Sequence, residues 1–118
     1  MRRRLLALVV GGVMAFAAMQ VAFAAIPTSI SARYDATAMH FKGSVSSDDP
    51  ECVAGRVVRL FKKTVNGPEL QGRDRTNTAG RWDIELMEAH GKYFAWTPRA
   101  EAMDGFCASD RSRIVDVM

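Results

Sequence analysis

From residue 39 onward, apolar and polar side chains alternate with a period of two in short runs, and no apolar stripe at helical spacing interrupts them. That is the pattern of half-buried strands. Met39, Phe41, Gly43 and Val45 fall on one side of an expected strand over 39–46, and His40, Lys42, Ser44 and Ser46 on the other. The acidic and proline residues at 47–50 end it in a turn. A second strand is expected over 56–62 with Val58 and Leu60 inward; Val57 and Phe61 on its other face leave open that both sides are covered. Asn66-Gly67-Pro68 is a turn signal, and the polar run 70–76 reads as an edge strand whose charges discourage pairing with a second molecule. The cleanest alternation is 81–86, where Trp82, Ile84 and Leu86 oppose Arg81, Asp83 and Glu85. An aromatic-rich strand over 92–97, a polar connection through Pro98 and Gly105, and a last strand over 111–117 complete the series. Gly80 and Gly91 precede Trp82 and Tyr93, where a positive φ lets the chain turn. Six or seven short strands without a helix describe an all-β antiparallel sandwich.

The chain before residue 39 has a different character. Arg2, Arg3 and Arg4 form a cationic head, residues 5–19 carry no charge and are mostly apolar, and Ala22-Phe23-Ala24 supplies a small-x-small cleavage pattern. This reads as a secretory signal, expected to be removed after Ala24 or, as the second choice, after Ala25. The alternative is a retained membrane anchor, since an apolar run near 20 residues can almost span a bilayer; the glycines, the many alanines and the cleavage pattern favour removal. Residues 25–37 are small and polar with an early proline, and are expected to be a flexible lead-in. The domain proper is then 38–118.

Removing the leader changes the charge. The whole chain carries sixteen basic and thirteen acidic residues. Three of the basic ones belong to the leader, so the remainder is formally neutral and gives no argument for nucleic acid or for stable association with a membrane. The 94 residues left make one small domain with a thin margin of stability. Its only cysteines, Cys52 and Cys107, form an even pair in an exported domain, which most often means a disulfide. A zinc site would need four ligands at short spacings, and only His40 and His90 could assist.

Gly43-x-Val45, Cys52, Gly55-Arg56-x-Val58-x-Leu60, Gly67, Thr76-x-x-x-Gly80-x-Trp82-x-Ile84 and Gly91-x-Tyr93, in that order, resemble the transthyretin-like sandwich of carboxypeptidase regulatory-like domains. Cys107-x-x-x-x-Ser112-x-x-Val115-x-Val117 resembles exported bacterial members of that group. The resemblance runs from residue 39 to residue 117. It implies a seven-stranded immunoglobulin-like or prealbumin-like fold and a non-catalytic role in folding, spacing or adhesion.

The candidate chemistry is thin. The hydroxyisourate hydrolase branch of transthyretin-like proteins uses a histidine-rich site and a C-terminal Tyr-Arg-Gly-Ser tail, whereas this chain ends Asp116-Val117-Met118 and has two histidines. A serine triad can be written from Ser112, His40 and Asp110, but nothing in the sequence activates the serine. An internal isopeptide bond would draw on Lys42, Glu85 and Asp116, all on polar strand faces where such a cross-link lacks its apolar setting. No catalytic residue, metal site or cofactor is expected. In Tyr93-Phe94-Ala95-Trp96, Tyr93 and Ala95 face inward, so Phe94 and Trp96 stand together on the outer face. They form a contact surface for a protein or a flat sugar ring, or else they lie beneath the connection 98–106, which is the plainer expectation. The expected partner is an extracytoplasmic protein or ligand; the expected location is the periplasm or the cell exterior.

Overall fold

The computed structural model describes residues 24–118, so the expected leader lies outside the described residues apart from Ala24. The chain folds as β1 (Ala25–Ile26), β2 (Ser29–Ile30), β3 (Arg33–Asp35), β4 (His40–Ser46), a 3-10 turn (Pro50–Cys52), β5 (Val57–Thr64), β6 (Gly67–Arg75), β7 (Arg81–Glu85), β8 (Gly91–Thr97), β9 (Ala100–Ala102), β10 (Gly105–Cys107), β11 (Asp110–Arg111) and β12 (Val115–Val117). It is an all-β sandwich.

One sheet places β4 between β7 on one side and β2 and β3 on the other, all antiparallel. The second runs β11–β8–β5–β6, with β12 also on β8. The pairs β2/β3 and β11/β12 are each one edge strand with a break. Counted so, the sandwich has the expected seven strands. Between the sheets, Ile30, Phe41, Val45, Trp82 and Ile84 of the first meet Val58, Leu60, Tyr93 and Ala95 of the second. The Phe41 and Tyr93 rings meet at 4.8 Å. The inward positions expected for 56–62, 81–86 and 92–97 are the ones observed.

Three expectations are corrected. The segment 25–37 is not a flexible lead-in: it supplies β1, β2 and β3, and Ile30 is buried in the core with Ala32 and Tyr34 packed against it. The connection 98–106 is not simple polar chain, because β9 and β10 pair with each other and β10 runs parallel to β1, forming a third small sheet. The last strand is interrupted at residues 112–114. There the Ser112 hydroxyl enters the ladder, accepting from the Ala95 amide at 2.9 Å and donating to the Arg113 carbonyl.

Gly80 has φ +82°, and a Cβ there would run into the Val45 carbonyl oxygen, so this turn has room only for glycine. The Val45 amide donates to the Gly80 carbonyl at 2.8 Å, which fastens the turn before β7 to the end of β4.

Candidate functional site

Cross-strand register puts the side chains of the second sheet's outer face into rows. Arg73 of β6 lies opposite Arg59 of β5, Arg59 opposite Trp96 of β8, and Trp96 opposite Arg111 of β11. The next row is Leu70, Phe61 and Phe94, and Lys63 follows opposite Pro68. The Phe61 and Phe94 rings stack at 5.4 Å, and Trp96 tilts toward Phe61 at 6.5 Å. The Arg111 guanidinium sits over the Phe94 ring at 5.1 Å and that of Arg59 over Trp96 at 5.6 Å. Phe61, Pro68, Phe94, Trp96 and Arg111 line a shallow depression of about 420 Å³.

Phe94 and Trp96 therefore do stand together on the outer face, Phe94 buried and Trp96 half-buried. Their cover comes from Phe61, Arg59 and Arg111, while 100–107 folds into the third sheet. The alternation of 92–97 places Phe94 and Trp96 on this face, and Arg59, Phe61 and Arg111 from neighbouring strands complete the patch. The signal was available: Arg59, Phe61 and Lys63 alternate with Val58, Leu60 and Lys62, and Arg111 begins the partner strand.

The electrostatics of this face are one-sided. Lys63, Arg73 and Arg111 are exposed and Arg59 is half-buried. Among the described residues, the ion pairs are His40 with Asp83 and Glu85, Lys42 with Asp35, and Lys92 with Asp116. None involves the four cations beside the aromatic rows. Arg59 and Arg73 are direct cross-strand neighbours of like charge, an arrangement that destabilises a sheet.

A second constellation lies at one end of the sandwich. Cys52 of the 3-10 turn and Cys107 of β10 form a disulfide with Cα atoms 5.4 Å apart. Beside it, Arg56 is only 3% exposed. Its guanidinium donates to the Cys52 carbonyl at 2.9 Å, Pro98 carbonyl at 2.9 Å, Ala108 carbonyl at 3.0 Å and Thr28 Oγ1 at 3.2 Å, while Nε has no partner. Burial without a carboxylate pushes its pKa below the ordinary guanidinium value. Arg56 is a structural clasp, joining three segments through their backbone carbonyls and a fourth through the Thr28 hydroxyl.

The remaining candidates are placed apart. Ser112 is buried in the β8 ladder and the Asp110 carboxylate accepts the Ile30 amide, both at the edge of the second sheet, whereas His40 belongs to β4 of the first. The triad is not assembled. Lys42, Glu85 and Asp116 each face a different partner, namely Asp35, His40 and Lys92. His90 is exposed, but His40 is half-buried rather than free in solvent, because the register sets it opposite Glu85 and beside Asp83. Asp83 meets Nδ1 and Glu85 lies 3.5 Å from Nε2. The two carboxylates thus address opposite sides of the ring and do not converge on one point.

Another depression, about 480 Å³, lies against the first sheet beside Trp82, lined by Arg33, Lys42, Asp74, Arg81 and Asp83 among others. Charges of both signs are mixed there. Among the described residues no helix is long and apolar enough to cross a membrane.

No family model matches the chain, and no curated protein matches it. Among solved structures it is similar to a Fn3-like protein from Clostridium thermocellum, with 12% identity over 80% of this chain and 93% of that chain and a TM-score of 0.47.

Proposed function

We propose that the protein is an exported, non-catalytic β-sandwich module of the transthyretin-like type, acting by contact with another extracytoplasmic protein. In this reading residues 1–24 are the removed leader, and everything from Ala25 onward belongs to the folded unit. The paired Cys52 and Cys107 support an oxidising location. The observation that carries the role is the outward row of exposed Leu70, half-buried Phe61 and Phe94, which lies under the Arg111 guanidinium, on the β11–β8–β5–β6 sheet. An apolar row on an outer face marks a contact surface.

The test replaces Leu70, exposed on that face, or Glu85, exposed on the other, with a photo-crosslinking residue in producing cells. A discrete adduct from Leu70 alone is expected. Adducts of equal yield from both positions, or none from either, overturn the interaction role. Intact mass of the recovered protein should start at Ala25 with no titratable thiol. A retained leader or two free thiols overturn the assignment to an exported protein.

A further inference from the structure

We infer that the outer face of the β11–β8–β5–β6 sheet docks an acidic polypeptide segment that also carries aromatic or aliphatic side chains. The inference deepens the interaction reading above and rests on it. Charge complementarity favours an anionic occupant. The chain past the leader is formally neutral, yet this face gathers Arg59, Lys63, Arg73 and Arg111 against Asp116, which already holds Lys92 at 2.9 Å. Such a concentration steers and orients an anionic partner.

Arg59 and Arg73 repel each other across the strands, with no ion pair to either among the described residues. Direct like-charge neighbours cost the free domain stability, and a carboxylate placed between them removes that cost. The state of the aromatic rings selects the class of anion. A sugar ring or a nucleobase binds aromatics by lying on a bare ring face. Here guanidinium groups already occupy positions over Trp96 and Phe94. A guanidinium stacked on a ring is pre-ordered, so it loses little freedom on taking up a carboxylate. The mostly apolar depression between Phe61, Pro68 and Trp96 has room for a side chain. Carboxylates and an apolar side chain occur together in a peptide.

The test uses the processed protein starting at Ala25 and a labelled random copolymer of glutamate and tyrosine, with fluorescence anisotropy as the readout. Saturable binding is expected, weakening as salt rises from about 0.05 to 0.3 M. Arg59→Ser and Arg111→Ser should each weaken it about tenfold, whereas Arg33→Ser on the other sheet should leave it unchanged. Arg73→Glu should raise the urea midpoint, by replacing repulsion with an ion pair, while weakening the copolymer. A purely structural face would not couple these two changes in opposite directions.

Failure of the copolymer to bind, equal weakening by Arg33→Ser, or displacement of the copolymer by polygalacturonate or oligothymidylate at equal charge each overturns the inference. The last outcome would make a polysaccharide or a nucleic acid the occupant. A discrete adduct from Leu70 with no copolymer binding defeats the acidic partner alone; loss of the adduct defeats the interaction reading itself.

Discussion

Replacing Arg56 with methionine removes a buried cation and strands the carbonyls of Cys52, Pro98 and Ala108, each of which accepts from it within 3.0 Å. An orphaned buried acceptor costs about 1–3 kcal/mol; the Cys52 bond is buried and those to Pro98 and Ala108 are part-buried, so with the lost packing of the stem the three amount to roughly 3–6 kcal/mol before relaxation. Against this, the cation no longer has to be held away from water with its Nε unpartnered, an effect worth several kcal/mol. The balance is a net loss of at most about 3 kcal/mol. Removing the cross-link by Cys52→Ala and Cys107→Ala reopens a separation of 55 residues, which the chain-entropy relation values at about 4 kcal/mol.

The two losses should not add. Arg56 grips the carbonyl of Cys52 itself and that of the residue after Cys107, so part of its benefit depends on the sulfurs holding those carbonyls in place. A double-mutant cycle by urea unfolding, followed through Trp82 and Trp96 fluorescence, should show Arg56→Met costing about 1–2 kcal/mol less without the disulfide than with it. Additivity within about 0.5 kcal/mol would refute the clasp, as would a loss below about 1 kcal/mol in the oxidised protein.

Other perturbations test separate parts of the fold. A Cβ at Gly43 would run into the Ser31 carbonyl oxygen and lie 2.8 Å from Trp82 Cζ2, so Gly43→Ala should cost about 2–3 kcal/mol in urea unfolding; a neutral result would mean that β2 and β3 can move freely off β4. Met39 and Glu88 have φ of 59° and 57°, and Met39→Asn or Glu88→Asn should raise stability by about 0.5–1 kcal/mol, with a fall in the melting midpoint counting against the strain. The Asp35 carboxylate accepts from the Ala38 amide first, and also from Thr37 and Lys42, which holds its pKa below the ordinary carboxylate value. Its stabilisation is therefore present above that value and lost as pH falls through the lower folded one, so Asp35→Asn should flatten the acid limb of a stability–pH curve and leave neutral pH nearly unchanged.

Strands with strong alternation and large side chains were legible. Residues 81–86 show Trp82 and Ile84 inward and charges outward in both sequence and structure, and Gly80 takes the positive φ that its position before Trp82 implied. The first edge strand was legible but missed. Ser29, Ser31, Arg33 and Asp35 alternate with Ile30, Ala32 and Tyr34, yet small side chains and an early proline made the segment resemble a tether. The pairing of β1 with β10 left no local signal, because the ladder uses the backbone of Ala25 and Ile26 and no period can form in two residues. The outer face shows the same limit. Phe94 and Trp96 could be placed from their own strand, whereas the juxtaposition of Arg59 with Arg73 depends on a register that shifts between Leu60 and Phe61. Such an irregularity is set by tertiary packing and cannot be counted from spacing.

The molecule is held by two different kinds of force in two places, and this bears on where it can work. Between the main sheets the stabilisation is apolar contact among Phe41, Tyr93, Leu60, Trp82 and their neighbours, which is indifferent to redox conditions. At the end where β1, β9 and β10 meet the 3-10 turn, the strands are two or three residues long. Strands that short contribute little by pairing alone. Their arrangement rests on the disulfide, on Arg56, and on the Ile26 carbonyl accepting from the Ala108 amide at 2.9 Å. The Ala24 carbonyl also packs against Gly105, where a Cβ would meet its oxygen at 2.5 Å. The end region therefore assembles around residues 24–26, and the disulfide is one of the few links that hold it to the 3-10 turn. A domain built this way keeps its sandwich core whatever the redox conditions, while the small third sheet and the turn beside it take their full form only with Cys52 and Cys107 joined.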